Sequence, residues 1–120
     1  MATFTKEVLS GSVQGRPVDV TDAVSPGTVI HTTGVAADET DEVWLYAANN
    51  DPYGDDLLLT IEFGGTTTAD TIAVEVPFED GLTLLVPGLP LTGDGSSGAE
   101  VRAFGPAGLS VSGYVNRIAP

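Results

Sequence analysis

The sequence predicts an all-β fold: an antiparallel two-sheet β-sandwich, jelly-roll-like, of about eight strands. Three observations carry this. Short apolar runs recur along the 120 residues with turn residues between them, at the roughly 8–12-residue spacing of sandwiches and barrels. Fifteen Gly and eight Pro interrupt the chain too often for long helices. Within several runs the apolar side chains fall at every second position, as a half-buried strand requires.

Residues 1–10 read as an extended N-terminal arm, able to add a strand to a neighbour. Weak strands follow at 13–14 and 18–20, and clear ones at 28–32, 43–48, 57–63, 72–78, 82–86, 99–104 and 111–118. Over 57–63, Leu57, Leu59, Ile61 and Phe63 share one face, and Leu58, Thr60 and Glu62 the other. Over 72–78, Ile72, Val74, Val76 and Phe78 oppose Ala73, Glu75 and Pro77. The run 43–48 is apolar on both sides, so that strand is either covered twice or presents Trp44 and Tyr46 to a partner. Core packing is the expectation for Trp44. Turn chemistry separates the runs at 49–54, Gly64-Gly65, Pro87-Gly88, 93–98 and 105–108. Pro77 places its strand at a sheet edge or starts a bulge. The one stretch able to wind into a helical turn is the acidic segment 36–42.

A chain of this length with 42% hydrophobic residues predicts a single domain over 1–120 with one core. It has no cysteine, which excludes disulfides and thiolate metal sites. The N-terminus lacks the basic start and apolar run of a secretory signal, and nowhere do about eighteen apolar residues follow one another. A soluble chain beginning near residue 1, with no membrane span, is expected. Seventeen acids against four cations give a formal net charge of −13. Lys6, Arg16, Arg102 and Arg117 are scattered, so no basic stripe exists for nucleic acid or anionic lipid. Self-repulsion at this density destabilises a compact state in dilute buffer, while molar salt screens it within a few ångströms. With lysine nearly absent, the balance fits either an ordinary acidic protein or adaptation to a high-salt medium.

Catalytic chemistry finds little purchase. His31 is the single histidine, and no serine lies in a G-x-S-x-G elbow, so His31 reads as structural. Acids cluster at Asp38, Glu39, Asp41 and Glu42 and again at Asp51, Asp55 and Asp56. A glycosidase pair would need a cleft lined with aromatics, and the chain has one Trp and three Tyr. From Asn49 the spacing imitates an EF-hand loop at its first, third and sixth positions, but Tyr53 and Thr60 occupy ligand positions that need oxygen donors such as Asp and Glu. Asp51, Asp55 and Asp56 remain the candidates for an irregular Ca²⁺ site; otherwise no cofactor is expected. Gly64-Gly65 lacks the Lys-Ser/Thr ending of a phosphate loop.

The ordered series EVWLYAANND from Glu42, LTIEFGGTTTADTI from Leu59, LTLLVPGLPL from Leu82, EVRAFG from Glu100 and SGYVNRI ending at Ile118 resembles small virion structural proteins of tailed viruses. These are β-sandwich subunits that decorate capsids or build vertex turrets and fibres. The resemblance implies a non-enzymatic subunit on the virion exterior, a homo-oligomer of three or five copies that docks on the major capsid protein or other virion proteins. Joined to the acidic composition, it implies a halophilic host. The candidate interface residues are the arm with Phe4, the aromatics Trp44, Tyr53 and Tyr114, and Arg102 and Arg117, which are read as interface or intramolecular salt-bridge residues. The rival is a carbohydrate- or cell-surface-binding module of a tail or fibre, Ca²⁺-dependent in one version.

Overall fold

A computed structural model describes residues 2–120; Met1, the first residue of the arm, lies outside them. Among the described residues there are nine strands: β1 (Thr3–Val8), β2 (Val18–Asp19), β3 (Thr28–Thr32), β4 (Thr40–Asn49), β5 (Leu57–Phe63), β6 (Thr71–Val76), β7 (Thr83–Thr92), β8 (Glu100–Phe104) and β9 (Leu109–Ala119). The first sheet runs β1-β9-β4-β7, with β2 also on β9, and the second runs β3-β8-β5-β6. All pairs are antiparallel, and they nest: β2 with β9, β3 with β8, β4 with β7, β5 with β6. A chain folded as one long hairpin and then wrapped so that successive pairs alternate between two sheets is a jelly roll. The predicted fold class is thus observed.

Alternation fills the space between the sheets. Val43, Leu45 and Ala47 of β4, Leu59 and Ile61 of β5, Val101 and Ala103 of β8, and Val111 and Val115 of β9 are all fully buried. Each large aliphatic side chain removed from water in this way stabilises the fold by roughly 1.5–3 kcal/mol before entropy is counted. Leu9, just after β1, also points into this core, which draws the chain away from the first sheet between the two strands, β1 and β2, that lie along one edge of β9.

Several local expectations are corrected. Residues 13–14 form a turn, with Gln14 at φ 57°, and not a strand. Residues 36–42 do not wind into a helix: Thr40 already begins β4. The single helical turn among the described residues lies instead in the β5–β6 connection, at Thr68–Asp70, where Asp70 Oδ2 accepts the Thr67 backbone N–H at 3.1 Å. Pro87-Gly88 is not a turn but lies inside β7, which continues to Thr92. It can do so because β7 is an edge strand, where a missing N–H leaves no ladder bond unmade, and two bulges in the β4–β7 pairing absorb the irregularity. Pro77 follows β6, an edge strand of the second sheet, in line with the edge expectation. The arm is tied down: β1 pairs with β9 over six residues, from Thr3 opposite Ala119 to Val8 opposite Tyr114.

Glu62 also departs from its expected place. It lies on the polar side of β5 but is only 1% exposed. The β2–β3 connection folds over it, with Ser25 Oγ donating to Oε2 at 2.5 Å and the Gly27 N–H to Oε1 at 2.7 Å. The carboxylate anchors a loop.

Candidate functional site

The register of the first sheet sorts its residues into two faces. Val43, Leu45, Val111 and Val115 look inward, so Glu42, Trp44 and Tyr46 of β4, with Tyr114, Asn116 and Ile118 of β9, look outward. Phe4, Lys6 and Val8 of β1 pair with Ile118, Asn116 and Tyr114 and so join the outward face. Leu84 of β7, opposite Tyr46, extends it and is largely exposed. Among the described residues no element covers this face.

Its centre is an ordered ladder, one residue from each strand. The Trp44 and Tyr114 rings stack with centroids 6.2 Å apart and planes within 13°. The Lys6 ammonium stands 4.7 Å from the centroid of the Tyr114 ring, a cation–π distance. On the β7 side the indole lies over Gly88, where a Cβ would sit 2.9 Å from its ring carbons and φ is +81°. Glycine is therefore what lets the indole lie against the backbone. On β9, Gly113 at φ +151° brings the strand against β4 so closely that a Cβ would run into the Trp44 carbonyl oxygen. Trp44 Nε1 is buried without a hydrogen-bond partner among the described residues. Beside the ladder, Phe4, Thr5, Lys6, Glu42, Asn116 and Ile118 line a groove of about 360 Å³.

Trp44 is thus no core residue. β4 is central in its sheet and covered on one side only, so it is not covered twice, and Trp44 and Tyr46 lie on the outward face. Of seventeen acids in the chain, two lie among the outward strand residues of this face, Glu42 beside the ladder and Asp19 at the β2 end opposite Ser110, against one cation, Lys6. The face is close to neutral on a molecule of net charge −13.

The remaining interface candidates lie elsewhere. Tyr53, 87% exposed, is on the β4–β5 loop. Arg102 is on the second sheet, donating to the Gly27 carbonyl and to Glu100 Oε1, both at 3.0 Å. Arg117 points inward, where Nε and Nη2 donate to Asp41 at 2.9 and 3.1 Å. Both arginines make intramolecular salt bridges, Arg102 with Glu100 and Arg117 with Asp41. The face accordingly unites Phe4, Trp44 and Tyr114; Lys6 was legible only as a scarce cation.

Arg117 belongs to a buried polar cluster that bridges the sheets. His31 and Asp41 are each 1% exposed. The Ser10 backbone N–H donates to His31 Nδ1 at 3.0 Å, so Nδ1 is the acceptor and Nε2–H donates to Asp41 Oδ2 at 2.7 Å. Burial pushes the Asp41 carboxyl up, but the hydrogen bonds from Arg117 and His31 and the charge of Arg117 outweigh it and hold the group below its ordinary range. The same hydrogen bond, opposed by burial and aided by the charges of Asp41, Glu39 and Glu7, raises Arg117. Both histidine nitrogens are engaged in structure.

Two of the three carboxylates named as Ca²⁺ candidates serve the backbone. Asp51 Oδ2 accepts the Asp55 N–H at 2.9 Å, and Asp56 Oδ1 accepts the Phe78 N–H at 3.0 Å. Asp55 contributes its carbonyl to Asn49 Nδ2 at 2.8 Å. Among the described residues no group of three or more His, Asp or Glu side chains stands where it could hold a metal ion. A concavity of about 410 Å³ between the β5–β6 and β7–β8 loops contains Asp70 and Asp94. Asp94 accepts the Ser97 and Ser96 backbone N–H groups, which hold its carboxyl low. Asp70 caps its own turn. Among the described residues no helix is long and apolar enough to cross a membrane. Comparison with family models, with curated proteins and with solved structures finds no match.

Proposed function

We propose that the chain is a virion structural protein of a tailed virus of a halophilic host: a non-enzymatic capsid decoration or vertex turret subunit, which stabilises the shell or presents a host-facing surface. The observation that carries the reading is the uncovered, nearly neutral aromatic face of the first sheet on a strongly acidic chain. Two such acidic molecules repel wherever their ordinary surfaces meet. A face poor in acids and furnished with Trp44, Tyr114, Phe4 and Ile118 is where contact costs least electrostatically and gains most from burial. The jelly-roll wrap suits the role by analogy, since it recurs in capsid and lectin domains. In this reading the partners are further copies, three or five to a ring, and the major capsid protein. Mass spectrometry and immunogold labelling of particles purified from the chain's native source test it: many copies on the particle exterior are expected, and absence of the chain from pure particles refutes it.

A second reading, a carbohydrate-binding module of a tail or fibre, is favoured by the same ladder. Aromatic rings beside Lys6, Glu42 and Asn116 in an open groove offer stacking and hydrogen bonding together. Glycan-array binding lost in Trp44→Ala distinguishes it.

A further inference from the structure

We propose that β1 is a docking edge for a second copy of this chain, joining two first sheets side by side across a two-fold axis. The inference deepens the assembly reading and names the partner surface. A jelly roll leaves four sheet edges, and three of them are closed to strand addition. On β7, Pro87 and Pro90 lack N–H groups and the pairing with β4 bulges twice. Across β3 lies the segment after β1, with the Gly11 N–H donating to the Ile30 carbonyl and Ser10 Oγ accepting the Thr32 N–H. β6 carries Glu75, is flanked by Asp70, Glu79 and Asp80, and gives its Val76 carbonyl to Asn49.

The fourth edge is open. β1 has no proline, and Lys6 cancels Glu7. Each of its residues is exposed, and among the described residues its backbone pairs only with β9. Half of its N–H and C=O groups therefore face outward unpaired.

Sequence fixes the register. When a two-fold axis stands perpendicular to an antiparallel sheet, residues of like parity face each other, so one residue must lie opposite itself. Centring on Lys6 or on Glu7 sets like charges directly opposite, which is unfavourable. Centring on Thr5 sets Phe4 opposite Lys6 of the second copy, and Lys6 opposite its Phe4, on the outward face. Thr3 then meets Glu7 on the other face. Residues 2–8 overlap fully, and the aromatic ladders of both copies become one continuous face.

Engineered cysteines test this without background, because the chain has none. In about 2 M KCl, where charge repulsion is screened, Thr5→Cys is expected to form disulfide dimers at least about tenfold faster than Thr66→Cys on the exposed β5–β6 loop. Thr3→Cys mixed with Glu7→Cys should cross-link, whereas Thr3→Cys alone should not, its two copies lying about 13 Å apart. Sedimentation of the unmodified chain should give twice the chain mass, or six or ten times it where two rings of three or five copies are joined through their β1 edges. Thr5→Cys cross-linking no faster than Thr66→Cys overturns the proposal, as does a dimer that cross-links through Thr3→Cys alone. Absence from virus particles would remove the assembly reading while leaving a register-specific dimer standing, so the two failures are separable.

Discussion

Replacing Asp41 by Asn keeps the side chain's shape and removes its charge, at the point where β3, β4 and β9 are tied together. Asp41 accepts three hydrogen bonds, at 2.7, 2.9 and 3.1 Å. Whichever way the new amide is turned, its NH₂ group meets an N–H of Arg117, of His31 or of both. Moving the His31 proton to Nδ1 only transfers the collision to the Ser10 N–H. Disrupting a buried charge network in this way costs about 3–5 kcal/mol, a large part of the roughly 5–15 kcal/mol that holds a domain together. At about 4 °C per kcal/mol the melting temperature should fall by roughly 12–20 °C. Urea unfolding in molar KCl, followed by the fluorescence of the sole tryptophan, measures the difference. Its pH dependence has a definite sign. The folded Asp41 carboxyl is depressed below 3.8, so the unfolded chain takes up the proton first. The stabilisation is complete above that value and is lost as pH falls through the folded value. The gap between the native chain and Asp41→Asn should be full near neutral pH and shrink below about pH 4. A gap under about 1 kcal/mol, or one unchanged down to about pH 2, would refute the buried network as a source of stability.

Three further outcomes are expected. Gly113→Ala should abolish cooperative folding or cost about 4 kcal/mol or more, because the new methyl meets the Trp44 carbonyl in a conformation that only glycine adopts freely; circular dichroism melts report it. Glu62→Gln should loosen the Ser25–Gly27 anchor at a cost of roughly 1–3 kcal/mol and open that loop to proteolysis, whereas an unchanged cleavage pattern would count against it. The melting temperature should rise steadily from about 0.1 M to 2 M KCl, and a flat profile removes salt adaptation from the proposal.

The fold was legible where one periodicity acted alone. The observed bounds of β5, Leu57–Phe63, are those its alternation predicts, because four apolar residues share one face and the turn at Gly64 ends the run. Legibility failed where a distant segment decided the outcome. Glu62 reads as solvent-facing until a loop some 35 positions away folds onto it. His31, Asp41 and Arg117 meet across separations of 10 and 76 residues, and no local pattern records that pairing. Pro87-Gly88 reads as a turn because its context is an edge strand, and edges are a property of the whole sheet. The site was half visible: Trp44 and Tyr46 on one face of β4 posed the question of a partner, but only the register with β9 and β1 gathers Tyr114, Phe4 and Lys6 beside them.

Trp44, the only tryptophan, makes the proposed contact face directly observable. Its emission and its quenching by acrylamide, compared between the free chain and the chain on purified particles, report whether that face is covered. A blue shift with several-fold protection on the particle is expected. Equal quenching in both states would mean that the aromatic face of the first sheet stays in solvent and is not where the protein makes its contacts.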